Sequence, residues 1–268
     1  MNILDILAIA AHRDDVEQTC GGTLLKMAQM GHRTGILDLT KGEMGTRGSA
    51  AERAREAGEA AKILRASWRE ALDIPDGRVE NTWENRLKVA RVIRRTRPRV
   101  LILPYWEGRH PDHYTASKLG YEACFLAGLA KLDVERTLLS EDAGFSQVAS
   151  AVASVAAGEQ QVSSSGLAAH RPFKIIYATL YHDIRPTFVV DITEQFESRL
   201  ESLMAYKSQF SDQQAGKDIF PAPTEIRARV ESMARFYGSF AGVTYAEPFL
   251  QKEVGLVEDV TAIAVKSI

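Results

Sequence analysis

Short apolar runs alternate with helix-period segments along the whole chain, and this alternation limits the fold more than any other feature. Residues 3–10 (ILDILAIA), 32–40 (HRTGILDLT), 99–104 (RVLILP), 173–181 (FKIIYATLY) and 187–193 (TFVVDIT) read as strands. A shorter strand and turn is expected at 69–77 (REALDIPDG), and a terminal strand near 243–250. Between them, apolar residues recur at helical spacing. A Gly21-Gly22 turn leads into TLLKMAQMG, stopped by Gly31; Ala57, Ala60, Ala61 and Leu64 share a face in 51–65; Leu87, Ala90 and Ile93 do so in 81–96. Residues 111–130, 194–208 and 224–240 continue the pattern. Strand and helix in this order predict an α/β fold, a mostly parallel sheet with helices on both faces.

No internal repeat or clean linker divides the 268 residues, so one domain spanning 1–268 is expected, with a decorated C-terminal third. The stretch 135–169 is rich in Ala, Ser, Gly and Gln and has few large apolar side chains to bury. It reads as an insertion, an excursion from the core that is partly helical or mobile.

Composition removes several function classes. A net charge of −2 leaves no basic face of the kind nucleic acid requires, and no attraction to an anionic membrane surface. No apolar stretch approaches the roughly 20 residues that cross a bilayer. The first apolar run is short, lacks a basic flank and ends in charge, which reads as a buried strand rather than a signal peptide; a cytoplasmic location is expected. Cys20 and Cys124 are too few for a disulfide framework or a Cys-rich zinc site, and both read as core residues.

Chemistry concentrates in two polar clusters, Ala11-His12-Arg13-Asp14-Asp15 and Arg109-His110-Pro111-Asp112-His113, each just past a buried strand. In open α/β sheets, ligands bind outside the carboxyl ends of the strands, so the two clusters can meet there. Together His12, Asp15 and His113 offer two imidazoles and a carboxylate, a donor set typical of catalytic zinc with one position left for water. Successive side chains of an extended segment point opposite ways, which would let Asp15 bind the metal while Asp14 faces the water as general base. Pro111 suits the first position of a helix and puts His113 in its first turn. His110 then lies at the helix entrance, where an imidazolium could stabilise an oxyanion or protonate a leaving amine, with Asp112 to orient it and raise its pKa. A nucleotide-binding module is disfavoured, because the first strand-to-helix turn carries carboxylates in place of G-x-G-x-x-G.

At these residues the sequence resembles the LmbE-like (PIG-L) family of zinc de-N-acetylases. The family's A-H-P-D-D motif stands here as A-H-R-D-D at 11–15, and its H-P-D-H motif at 110–113. Further similarity lies in GGTL at 21–24, LDLTKGEMGTRG at 37–48, RPRVLILP at 97–104, and FVVDITEQFE and AYKSQF within 188–210. The resemblance implies a Rossmann-like fold, one zinc ion (or another divalent metal) per chain on His12, Asp15 and His113, Asp14 as base, and His110 with Asp112 as the electrophilic pair. It further implies a homo-oligomer, a trimer or hexamer, acting on a small acetylated amino sugar.

Within the family the chain is similar to bacterial deacetylases of bacillithiol synthesis, which act on N-acetylglucosaminyl-malate. A malate aglycone calls for a cation, and Arg53 and Arg109 are the candidates, since guanidinium holds carboxylate bidentately. Glu43 and Met44 are expected to line the sugar pocket. Arg13 replaces the family's proline, which is expected to loosen the loop and to bring a positive charge near the metal. Tyr105, Trp106, Tyr177 and Tyr181 read as core or pocket wall; His170 and His182 lack a paired motif and are left out of the metal site.

Overall fold

The computed structural model of the protein describes residues 3–142, 166–180, 183–211 and 222–265. Seven strands form one sheet: β1 Ile6–Ala10, β2 Thr34–Asp38, β3 Trp68–Ala71, β4 Val100–Pro104, β5 Lys174–Ala178, β6 Phe188–Asp191 and β7 Ala246–Leu250. Their spatial order is β3-β2-β1-β4-β5-β7-β6. The first five pair in parallel, and β7 runs antiparallel to both β5 and β6. This is the expected Rossmann-like, mostly parallel α/β domain.

Alternation along each central strand explains why both faces are covered. Leu7 and Ile9 of β1 and Leu101 and Leu103 of β4 pack with Leu87, Ala90 and Ile93 of α4 (Trp83–Thr96) and with Ala116, Leu119 and Ala123 of α5 (Pro111–Ala127). Ile6, Ala8, Ala10 and Ile102 point the other way. They meet Val16 of α1 (Asp15–Thr19) and Leu24 of α2 (Gly21–Gln29). Strands buried on both faces read as continuous apolar runs, which is why they are legible in the sequence. Gly120 on α5 serves this packing, since a Cβ there would lie 2.4 Å from Leu103 Cδ2.

Among the described residues the other α-helices are α3 (Ala50–Ile63), α6 (Val134–Asp142), α7 (Phe196–Met204), α8 (Lys207–Phe210) and α9 (Pro223–Ala241). Ser49 and Glu52 close a reciprocal capping box at the start of α3. Two expectations change. Gly21 and Gly22 open α2 instead of forming a turn before it: a Cβ on Gly22 would come within 2.9 Å of Ile192 and 3.0 Å of Glu247, so the missing side chain admits those neighbours. The expected helix 194–208 is two short helices, α7 and α8. Of the expected 135–169 insertion, the described beginning belongs to α6, whose Val134 and Leu138 join the core with α4. Residues 143–165 lie outside the described residues, as do Tyr181 and His182. Among the described residues no helix is long and apolar enough to cross a membrane.

A buried ion network fastens β2, β3, α1 and the segment between α7 and α8 together. Arg69 on β3 donates to both oxygens of Asp38 (2.8 and 2.9 Å) and to Glu17 Oε1 (2.6 Å), and Tyr206 donates to the same Glu17 oxygen (3.1 Å). All four side chains are almost entirely buried. Removing one partner of such a network strands the opposite charges in low dielectric, at a cost of about 3–5 kcal/mol. Arg69→Met is therefore expected to lower Tm by on the order of 10 °C, with part of the loss regained when Glu17→Gln and Asp38→Asn are added. An unchanged Tm in a thermal melt would refute the network's role.

Candidate active site

The topology decides where the two polar clusters lie. From β1 the chain continues to β2 on one side, whereas β4 is followed by β5 on the other. Between β1 and β4 the order reverses, and a crevice opens at their carboxyl ends. His12 follows β1 by two residues, and α5 starts from His110 just after β4.

There His12, Asp15 and His113 come together. His12 Nδ1 lies 3.2 Å from His113 Nε2 and 3.6 Å from an Asp15 oxygen, and His113 Nε2 lies 3.2 Å from the other Asp15 oxygen. The His12 N–H fixes the Asp15 carboxylate at 2.9 Å. The segment is a turn and not extended: Asp15 N–H reaches back to His12 O (3.4 Å), and Asp14 takes a left-handed conformation with φ 95°. That kink, which Asp tolerates better than most residues, separates Asp14 from Asp15. The strand-like alternation expected from sequence does not operate here.

The opposite edge of the His12 ring has partners that sequence reasoning missed. Its Nε2 lies 3.1 Å from Asp76 Oδ1 and 3.3 Å from Asp112 Oδ2. Asp112 is thereby corrected: its oxygens accept from Gly77 N (2.8 Å), Val79 N (3.2 Å) and His12, not from the His110 ring. Instead, His110 caps α5, with Nδ1 accepting the Asp112 N–H at 3.2 Å. Since Nδ1 accepts, the neutral ring carries its proton on Nε2. His110 packs against His12 and His113, with ring centroids 4.7 and 4.9 Å away. Asp76 belongs to Pro75-Asp76-Gly77, a turn signal on sequence grounds; nothing local marks it as a partner of His12.

Electrostatics follow from this crowding. Burial would lower the His12 pKa, but hydrogen bonds to Asp112, Asp15 and Asp76 outweigh it and push it up to about 12. Burial would raise Asp15, yet the adjacent imidazoles hold it well below the usual carboxylate range. Burial pushes the Asp14 carboxyl up to about 7, with Arg53 opposing. His110 is lowered by burial and by the neighbouring rings, against the upward shift expected from Asp112.

The outer residues are redistributed. Arg53 is buried, donating to Arg13 O (2.7 Å) and Gly42 O (3.3 Å) beside Asp14 Oδ1 (3.4 Å), so its guanidinium is turned to the protein and not to an aglycone. Arg109 stands on the segment entering α5. Arg13 does not loosen its loop: its Nη1 donates to Lys41 O (3.2 Å) and Ala50 O (2.8 Å), tying the two ends of the 41–50 loop to the motif. In that loop Glu43 Oε1 accepts the Asp76 N–H and Met44 N–H donates to Asp76 Oδ2, both at 2.9 Å. The Met44 side chain is 74% exposed. Tyr177, Cys20 and Cys124 are core, and His170 bonds Pro98 O.

The family described as PIG-L, GlcNAc-PI de-N-acetylase, matches residues 7–124, the stretch that holds both motifs. In three dimensions the chain is similar to the conserved protein TT1542 from Thermus thermophilus, with 35% identity, a TM-score of 0.75 and coverage of 96% of this chain and 98% of that one. The chain belongs to the PIG-L family. It is also 28% identical over 257 residues to a diacetylchitobiose deacetylase of Thermococcus kodakarensis, covering 92% of this chain and 82% of that protein. The N,N'-diacetylchitobiose deacetylase from Pyrococcus horikoshii superposes with a TM-score of 0.70 at 25% identity, covering 91% and 82%.

The donor set of this PIG-L chain fits a divalent cation. Tetrahedral ligands about 2.0–2.1 Å from a zinc ion stand about 3.3 Å from one another; the His12 and His113 nitrogens are 3.2 Å apart, and each lies 3.2–3.6 Å from an Asp15 oxygen, a different one for each ring. Two ring nitrogens facing each other at 3.2 Å need a proton or a cation between them. Two other groups also lie within ligand range: His12, His110 and His113, which opens to the surface at His110, and His12, Asp76 and Asp112, which is wholly buried.

Proposed function

We propose that the protein is a metal-dependent N-deacetylase that hydrolyses the acetamide of an N-acetylglucosaminyl conjugate, with one divalent cation, zinc first, on His12, Asp15 and His113. The observation that carries this reading is the spacing of those three donors next to Asp14, at the point where the strand order reverses. When bound, such a cation supplies Lewis acidity that polarises an amide carbonyl and makes water acidic near neutral pH.

The residues of the chain do the rest. Asp14 accepts the proton of the attacking water as the water oxygen bonds to the carbonyl carbon. His110, with its proton on Nε2, donates to the carbonyl oxygen as that oxygen gains charge. The proton held by Asp14 then passes to the leaving nitrogen as the C–N bond breaks, giving acetic acid and an amine, between which the acid's proton moves to leave acetate and ammonium. Asp112 and Asp76 are positioning residues, which hold the His12 ring so that Nδ1 faces Asp15 and His113.

Substrate choice rests on two features. A cavity of about 30 Å³ lies against Asp15 and His113, walled by Ala10, Thr19, Pro104 and Leu180. That is space on the order of one to a few waters, which suits a small acyl group such as acetyl. Arg109, exposed just before α5, is the candidate cation for a carboxylate aglycone, and N-acetylglucosaminyl-malate is the first substrate to test. Diacetylchitobiose is the second, favoured by the Thermococcus relative.

Acetate release by the zinc-loaded protein should be compared across N-acetylglucosaminyl-malate, N-acetylglucosamine and diacetylchitobiose, with an N-propionyl counterpart of the best substrate. The acetyl form is expected to react roughly 10–200-fold faster than the propionyl form, the usual worth of one methylene in a tight pocket. Absence of acetate from all three would overturn the deacetylase reading. Faster turnover of the chitobiose would move the aglycone assignment to a second sugar.

A further inference from the structure

The Asp76 carboxylate is shared between the metal-site imidazole and the backbone of a loop more than 30 residues away in sequence. Its Oδ1 lies 3.1 Å from His12 Nε2, and its Oδ2 accepts the Met44 N–H at 2.9 Å. The Asp76 N–H in turn reaches Glu43 Oε1 at 2.9 Å. Next to it, Asp112 accepts from Gly77 and Val79 on the same 76–79 turn and from His12 Nε2. Both carboxylates are buried.

These bonds fix the state of the ring. Two carboxylate acceptors at Nε2 keep a proton there, so Nδ1 is the nitrogen turned to Asp15 and His113, the one a cation would take. They also fix the loop: the 41–50 segment is held at its ends by Arg13 and at Gly42 by Arg53, but at its tip by Asp76.

We propose that Asp76 is a positioning residue that couples metal binding at His12 to the order of the loop carrying Glu43 and Met44, because one carboxylate is bonded to both. This rests on the proposed placement of the cation on the Nδ1 side of His12. A ring drawn towards a cation on that side keeps its Nε2–H on Asp76, and the other carboxylate oxygen stays fixed for Met44. A cation on Nδ1 would restrain the ring in this orientation, and with it the Nε2–H that Asp76 accepts.

The test measures zinc affinity by chelator competition and hydrogen exchange at the Met44 amide, with and without zinc, in the wild type, Asp76→Asn, Asp76→Ala and His113→Ala. Zinc is expected to slow exchange at Met44 in the wild type. Asp76→Ala is expected to weaken zinc about 10–100-fold, the usual effect of losing an outer carboxylate, and to leave Met44 exchanging at one rate with or without zinc. Asp76→Asn keeps the size and one acceptor oxygen and is expected to fall between, so the proposal remains testable if the alanine variant folds poorly. A merely structural Asp76 would lower Tm and leave zinc affinity unchanged; that result overturns the coupling. So does zinc-dependent protection of Met44 that persists in both Asp76 variants. If His113→Ala abolishes zinc binding while Asp76→Ala leaves it intact, the coupling fails alone. If His113→Ala keeps zinc and Asp76→Ala abolishes it, the cation belongs between His12, Asp76 and Asp112, and both readings fail.

Discussion

Asp14→Asn is expected to retain zinc at the wild-type stoichiometry and to lose roughly 10²–10⁴-fold in kcat, the usual contribution of a positioned general base. The substitution is nearly isosteric. Asn tolerates the left-handed backbone that Asp14 adopts at φ 95°, and its amide oxygen can still face Arg53. None of the bonds among His12, Asp15 and His113 runs through Asp14, so the donors stay in place. What the variant lacks is an oxygen able to take a proton, and burial that pushes the native carboxyl up to about 7 is what suits it to that task near neutral pH. Steady-state kinetics with parallel metal analysis decide the matter. Full activity would remove Asp14 from the chemistry, and lost zinc would make it part of the metal site.

The second large effect is expected from the two imidazoles, and the two should differ. His113→Ala removes one of three donors at the half-buried edge of the site. Zinc should be lost on dialysis, activity should fall to background, and the fold should persist. His12→Ala removes a donor too, but it also leaves Asp76 and Asp112 without the N–H between them. Buried acceptors deprived of a partner cost about 1–3 kcal/mol, so this variant should also melt lower than His113→Ala. Metal content unchanged in the double variant would exclude the proposed site. Equal Tm values for the two single variants would show that the Asp76 and Asp112 contacts carry no stability.

The asymmetry between those histidines marks the limit of what the motifs reveal. His12, Asp15 and His113 are legible because the chemistry of a metal donor is written in residue type, and because each motif sits just past an apolar run long enough to be a strand. Residues Leu7, Ile9, Leu101 and Leu103 make those strands visible, and the alternation with α4 and α5 makes the parallel sheet visible. Gly21 and Gly22 mislead because a glycine pair is a turn signal locally, whereas here Gly22 admits Ile192 and Glu247 from more than 160 residues away. Arg13 misleads for the same kind of reason: its charge is plain in the sequence, but not that Lys41 O and Ala50 O absorb it.

By itself, then, the sequence determined the strand and helix order, the two motif positions at strand ends and the identity of the candidate metal donors, all of which depend on local periodicity and residue chemistry. Tertiary structure alone decided that Asp112 and Asp76 address His12 rather than His110, that Arg53 is enclosed by carbonyls and Asp14, and that the Asp14–Asp15 pair is divided by a left-handed kink. Those outcomes depend on where loops 41–50 and 72–79 run over the carboxyl ends of the sheet. A loop's path is fixed by partners distant in sequence, which no local pattern records.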